Sequence, residues 1–519
     1  MVSWELIDKA TAFIAEEMGV ALKRSAFSPN IKERVDHSCA VVDDGGRIVA
    51  QAEHIPVHLG SFRVCVMNLI RFLSEEGVEL GDGDMVAFND PYISGTHLND
   101  MTVVAPVIVK GETFGYVINK AHLVDVGGPL PGSINPNAST IYEEGIVVPP
   151  VLLMKNGKMR RDVLGLLAAN FKTPDVTIGD LLAQVAANQV GVRRIQELVT
   201  KYGADSVREA WDQTIDHTKE LVIRELSAWP RGDYYGEDYI EVDNDDLTIR
   251  VKLSISPHSI VADYEGSSRQ VDLPLNAVFG VTYSSTVFVV RCILNVDVGV
   301  NEGLYSVVDV RAVPSTIVNP VRPAPVAGGN VETSQRIADV MFRAFSQALP
   351  GRVPAAGSGT MMNVMMGGKL ESGGYWAYYE TIGGGTGARP NSDGVSGVHV
   401  NMTNTLNTPI EVAERTYPLF FTGYRIREMS GGRGRFRGGD GVIRSFKVLV
   451  PCRLSILSDR FKRGAWGLMG GEDGAPGKVT VIRANGEVLS MPSKFSIELR
   501  VGDEVIIETP GGGGLYSKD

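Results

Sequence analysis

Two histidines and an aspartate, His97, Asp100 and His122, flank a segment that reads as one β-hairpin. Between them run MTVVAPVIV, then Lys110-Gly111-Glu112, then TFGYVINK: two stretches rich in Val, Ile and Thr around a glycine turn. Folding about Gly111 sets Asp100 opposite His122, with His97 one step outside. Opposed residues in an antiparallel ladder stand roughly 5 Å apart, so the three side chains can converge on one ion. Two imidazoles and a carboxylate leave a coordination position for water or substrate, and a divalent ion such as Zn, Mn or Fe accepts that donor set. The competing reading is a set of polar residues capping strand ends.

The chain has eight histidines. His37, His54, His58, His97 and His122 fall in its first quarter, and His217, His258 and His399 follow later. In the run QAEHIPVHLG (51–60), His54 and His58 stand four apart across Pro56. Proline removes a donor and breaks a helical pattern, so this run predicts an extended or turning segment. Each histidine alone reads equally well as a structural residue. Their clustering with acids makes the N-terminal region the place to look for chemistry.

The elements around these residues predict an α+β fold. Residues 3–27 carry apolar side chains at helical spacing and stop at Ser28-Pro29. Residues 36–50 read as a strand, an Asp-Gly turn and a second strand. From Arg160 to Trp229 the pattern is helical, with Gly203 ending one helix and Ala204-Asp205-Ser206 opening the next. Residues 233–320 alternate in strand fashion, with one further apolar run at VTYSSTVFVVRCIL, and Glu332 to Leu349 reads as one helix. The remainder is short strands and glycine turns. At 519 residues the chain exceeds one core. The expected division is 1–159 (β-rich, with the metal site), 160–230 (helical), 231–350 (α+β) and 351–519 (glycine-rich β). No regular βαβ alternation is present, which argues against a doubly wound nucleotide domain.

Composition narrows the class. A net charge of −11 speaks against a nucleic-acid or anionic-membrane surface, and the densest basic stretch is only Arg433, Arg435 and Arg437. No apolar run approaches about 20 residues, and the N-terminus lacks a basic stretch followed by an apolar core. The expectation is a soluble cytoplasmic protein. Cys39, Cys65, Cys292 and Cys452 show no CxxC spacing and read as buried small apolar residues. The 59 glycines exceed the usual share of about 7%, but without a fixed period. They gather in GGGTGARP, SGGRGRFRGGDG, WGLMGGEDGAPG and TPGGGG, which read as tight turns punctuating an ordered β region.

Several motifs are missing. Gly367-Gly368-Lys369-Leu370 lacks the hydroxyl residue of a phosphate loop, and no GxGxxG follows a strand and opens a helix. No GxSxG elbow or HExxH helix occurs. Any ATP used in the reaction is then held by another chain. Water activated by a metal is the chemistry the residues offer.

Longer blocks resemble a known family. SPNIKERVDHSCAVVD, QAEHIPVHLGS, NDPYISGTHLNDMTVVAPV, AHLVDVGGPLPGS, EEGIVVPPVLL, ETIGGGTGARPNSDGVSGVH, NTPIEVAERTYP, SGGRGRFRGGDGVIR and TPGGGG, in that order, are similar to the hydantoinase B / oxoprolinase B family. The resemblance spans essentially the whole chain. It implies a division of labour in which a hydantoinase A-type partner binds ATP and phosphorylates the oxygen of an amide, lactam, ketone enol or bicarbonate. The B-type subunit then processes the activated species at a metal site. In the acetone carboxylase branch a His-x-x-Asp pair and a later histidine hold the metal, matching His97, Asp100 and His122 here.

The resemblance favours the B subunit of an ATP-dependent cyclic-amide hydrolase opening a hydantoin, 5-oxoproline or lactam ring, within a hetero-oligomer. His54, His58 or Asp125 would serve as general base or position the water. Second is a subunit of an acetone- or acetophenone-type carboxylase. A mononuclear iron oxygenase also fits two histidines and a carboxylate, but the whole-chain resemblance opposes it. A non-catalytic scaffold would be favoured by loss of the three ligands, which are present.

Overall fold

The structure is a computed structural model describing residues 3–52, 54–243 and 245–518. Its N-terminal part is a seven-stranded antiparallel sheet built from β1 (His37–Asp43), β2 (Ile48–Gln51), β3 (Met85–Phe88), β4 (Asp100–Val109), β5 (Glu112–His122), β6 (Val151–Lys155) and β7 (Lys158–Met159). The strand order is β2-β1-β5-β4-β3-β6-β7, which puts the hairpin β4–β5 at the centre. Its register pairs Asp100 with His122, as the turn at Gly111 dictates.

Period-2 alternation gives this sheet two buried faces. Met101, Val103, Ala105, Val117 and Ala121 join the helices Trp4–Ser25, Pro174–Tyr202 and Ala204–Ser227 in one apolar cluster. Val104 and Ile118 point the other way, into a cluster with the helices Pro56–Glu75, Phe279–Ile293 and Ser334–Ala348. Asp100, Thr102, Lys120 and His122 share the parity of that second face, so the candidate ligands project into the interior between the sheet and the rest of the chain.

A four-stranded sheet over Gly232–Ile240, Leu247–Ile255, Ile260–Asp263 and Val308–Arg311 follows the helical block. A second four-stranded sheet holds the hairpin Asn363–Lys369/Tyr375–Thr381 with Cys452–Leu457 and Lys494–Leu499, and a five-stranded sheet completes the C-terminal part. The mixed α+β class expected from the sequence is what the structure has. Among the described residues no helix is long and apolar enough to cross a membrane.

Several local expectations are corrected. The run after Gln51 does not stay extended: Pro56 opens the helix Pro56–Glu75 and His58 lies in its first turn. At that position proline costs no hydrogen bond, because the first helical N–H groups have no partner in the helix. VTYSSTVFVVRCIL lies in the helix Phe279–Ile293, not a strand. It is buried nearly all round, so no polar face marks the helical period. Two of its hydroxyls bond back to the preceding turn, Ser285 Oγ donating to Val281 O at 2.9 Å and Thr286 Oγ1 to Thr282 O at 2.8 Å. The helix expected from Glu332 begins with a π-turn over Gly329–Thr333 before Ser334–Ala348. Cys292 is exposed, unlike the other three cysteines.

Many of the C-terminal glycines are not turn residues. They line extended segments that pack backbone on backbone, with TPGGGG buried at the centre. Gly512 N donates to Gly439 O at 2.9 Å, Gly432 N to Gly512 O at 2.8 Å and Gly513 N to Ala356 O at 2.8 Å. A Cβ on Gly512 would stand 1.9 Å from Thr386 O, and one on Gly385 1.8 Å from Gly439 O. The reason for glycine here is the missing side chain, not an unusual φ.

Candidate metal centre

The open end of β4–β5 is fixed from both sides. Gly95, at φ 79°, ends the short helix Pro91–Ser94 and turns the chain toward His97. Asp100 N then donates to His97 O at 3.1 Å, folding His97 back over the strand start. Asn99 clamps the far side: its Nδ2 donates to Leu123 O at 3.0 Å and to Gly132 O at 3.1 Å.

This geometry gathers His97, Asp100 and His122 so that one ligand atom from each lies within 4.8 Å of the others. Asp100 Oδ1 is 3.2 Å from His97 Nε2 and 3.7 Å from His122 Nδ1. The three residues are 1%, 1% and 2% exposed. These approaches are close but poorly aligned for hydrogen bonds. His97 Nδ1 and Nε2, both Asp100 oxygens and His122 Nε2 are buried without a hydrogen-bond partner. Unspent lone pairs converging in an enclosed space are what a cation site requires, and the nitrogen-rich donor set suits Zn, Mn or Fe.

Charge is tuned by the same proximity. Burial alone would raise the Asp100 carboxyl, but His97 and His58 outweigh it and hold the group well below the usual range. Burial works against a charged His97, yet Asp100 more than compensates and lifts it. Burial, reinforced by the charge on His97, pushes His122 well below its ordinary value, so its imidazole is neutral and free to coordinate.

His58 joins this group. Its Nε2 is 3.3 Å from Asp100 Oδ2 and its Nδ1 3.0 Å from Ser38 Oγ. Ser38 Oγ already accepts the Ile55 N–H at 3.1 Å, so its own proton is available for His58 Nδ1. With Ser38 as the donor, Nε2 would carry the ring proton toward the aspartate. The interactions of the other two candidates lie elsewhere. His54 Nε2 is 3.3 Å from Glu16 Oε2 and its ring packs on His37. Asp125 accepts the Gly127 N–H at 3.0 Å and the Thr173 N–H at 2.7 Å, bracing the start of the helix Pro174–Tyr202.

Other residues at the cluster were not singled out from sequence. Asp36 Oδ2 is 3.8 Å from His122 Nδ1, and burial raises its carboxyl. Lys120 Nζ donates to Ser61 Oγ at 2.9 Å and Ser94 O at 2.6 Å, and burial lowers its pKa. Its parity with His122 on β5 was a usable signal. Tyr379 stacks flat on His122, with centroids 4.4 Å apart and planes at 0°. No local pattern connects residues so far apart in sequence.

Comparison with known proteins places this geometry. An uncharacterised protein of Methanocaldococcus jannaschii is 47% identical over 99% of this chain and 90% of its own length. The 5-oxoprolinase of Dictyostelium discoideum is 36% identical over 98% of this chain, which spans only 39% of that longer relative. The crystal structure of an ATP-dependent caprolactamase from Pseudomonas jessenii superposes with a TM-score of 0.90 at 28% identity, covering 99% of this chain and 90% of that one. Residues 1–517 match the profile described as hydantoinase B/oxoprolinase, and the chain belongs to that family.

Proposed function

We propose that this chain performs the ring-opening half of an ATP-dependent cyclic-amide hydrolase, with a separate hydantoinase A-type subunit phosphorylating the amide oxygen. The observation that carries the reading is the convergence of His97, Asp100 and His122, with unspent lone pairs, inside a chain of this family. The relatives named for 5-oxoproline and caprolactam support a cyclic amide as the substrate class. The Dictyostelium relative carries further polypeptide beyond the part matched here.

In this reading the three side chains would hold one divalent ion, which would supply Lewis acidity toward water and the activated substrate. Asp100 brings the negative charge. His58 stands 3.3 Å from its second oxygen and would help keep the carboxylate in one orientation. His122 would coordinate as the neutral imidazole, and His97 would have to lose its proton to do so. All three side chains lie away from bulk water. Water added at the phosphorylated amide carbon lets the ring C–N bond break, the nitrogen leaving with a proton. The acyl phosphate that results is hydrolysed to carboxylate and phosphate, so the reaction divides into an ATP-using step and a hydrolytic one.

The test is metal content. Elemental analysis should find about one divalent ion per chain, lost in His97→Ala and His122→Ala proteins whose circular dichroism is unchanged. Full occupancy in the doubly substituted protein would remove the assignment. A wild-type reaction that depends on bicarbonate would move the chain to the carboxylase branch.

A further inference from the structure

We propose that Glu332, Asn363 and Tyr379 form a positioning chain that sets the ring plane and lateral placement of His122. The inference rests on the metal reading of His122 and extends it to residues more than two hundred positions away.

His122 lies flat on Tyr379, centroids 4.4 Å apart and planes parallel. A flat stack fixes the plane of an imidazole but leaves it free to slide, so the anchor depends on what holds the phenol. Tyr379 Oη donates to Asn363 Oδ1 at 2.9 Å. Both residues belong to the hairpin Asn363–Lys369/Tyr375–Thr381, where Tyr379 pairs with Met365, two residues from Asn363.

The Asn363 amide cannot turn over. Its Nδ2 donates to Glu332 Oε1 at 2.8 Å and to Leu457 O at 2.7 Å, so both amide hydrogens are committed. Reversing the amide would aim its oxygen at a carbonyl and its N–H groups at the phenol, losing two bonds. Glu332 is itself pinned, because its Oε1 also accepts the Met361 N–H at 3.1 Å. It comes from the π-turn Gly329–Thr333, a distortion frequent at functional sites. Burial pushes its carboxyl up to about 8, so near neutral pH the group accepts these bonds without an unpaired buried charge.

Two further contacts brace the stacked pair. The Arg34 guanidinium lies 4.8 Å over the Tyr379 ring, and Asn30 Nδ2 donates to His122 O at 2.6 Å. The backbone and ring of His122 are thus held by different segments. Outer groups that orient a ligand ring govern metal affinity even though they never touch the ion.

The experiment loads the full-length protein with Co2+ and reads its visible ligand-field absorption and its affinity against a chromophoric chelator. Tyr379→Phe and Asn363→Leu should shift the Co2+ bands and weaken Co2+ binding about 10–100-fold. Glu332→Gln keeps an acceptor for Asn363 and should leave both readouts unchanged, whereas Glu332→Leu should follow Asn363→Leu. Thermal melts identify any variant that does not fold, and Tyr379→Phe, which removes a single oxygen, then decides. Unchanged bands and affinity in Tyr379→Phe and Asn363→Leu, with Co2+ bound by the unsubstituted protein, would overturn this inference alone. No Co2+ binding by the unsubstituted protein would overturn the metal reading and this inference with it.

Discussion

His58 Nε2 stands 3.3 Å from Asp100 Oδ2, while Oδ1 of the same carboxylate faces His97 at 3.2 Å and His122 at 3.7 Å. The aspartate therefore lies between His58 and the two histidines proposed as ligands. His58→Ala should lower metal affinity about 10–100-fold without removing a ligand. Competition titration against a chelator checks this, and an unchanged affinity would make His58 a bystander.

Protons and metal compete for His97. Asp100 raises the His97 pKa, so below that value the ring must lose a proton before it coordinates. Affinity should therefore fall with decreasing pH, approaching about tenfold per pH unit once His97 is fully protonated. Titrations between about pH 8 and about pH 6 should show proton release on metal addition. A flat profile would mean that His97 binds no proton in the free protein.

Asp100→Ala separates the two halves of the proposed reaction. In a complex with the proposed ATP-using partner, this variant should open no ring yet retain some substrate-dependent ATP turnover. A phosphorylated amide that is not attacked at carbon decays by losing phosphate to water. Ring opening at near wild-type rate would take the metal centre out of the mechanism.

Gly512→Ala tests the glycine-packed region. The added Cβ would meet Thr386 O at 1.9 Å, and its three nearest atoms are all backbone of Thr386 and Gly387. The cost should reach about 3 kcal/mol or more in denaturant unfolding. Gly486→Ala is the comparison: nothing lies within 4 Å of its Cβ position, and only its φ of 89° opposes the change, at about 1 kcal/mol.

Much of the N-terminal architecture is legible in the sequence, because its signals are local. The turn at Gly111 and the Val- and Ile-rich runs beside it determine that Asp100 pairs with His122. The helices of residues 161–227 follow from apolar spacing, since each has one solvent face. Two signals mislead. Pro56 breaks a helix only in its interior, and here it stands at the first turn. The helix Phe279–Ile293 is enclosed on nearly every side, which erases the period that would reveal it. The groups around the proposed ligands divide along the same line. His58 and Lys120 are close in sequence to the hairpin or on it, whereas Tyr379, Asn363 and Glu332 arrive by tertiary packing that no spacing rule encodes.

The interlocked glycine segments also constrain when the protein can finish folding. Gly385 N bonds to Pro510 O, Ala388 N to Gly513 O and Gly432 N to Gly512 O. Each contact closes a long loop, and glycine-rich chain surrenders the most conformational freedom when it is ordered. Such pairings form slowly compared with local hairpins and helices. Because residues 509–514 run through the middle of the bundle, the segments around them have no centre to pack on until that stretch has left the ribosome. The N-terminal sheet, with its proposed ligands on one hairpin, can form well before that moment. His122 would then wait for Tyr379, so mature metal affinity should appear only after the C-terminal part has docked.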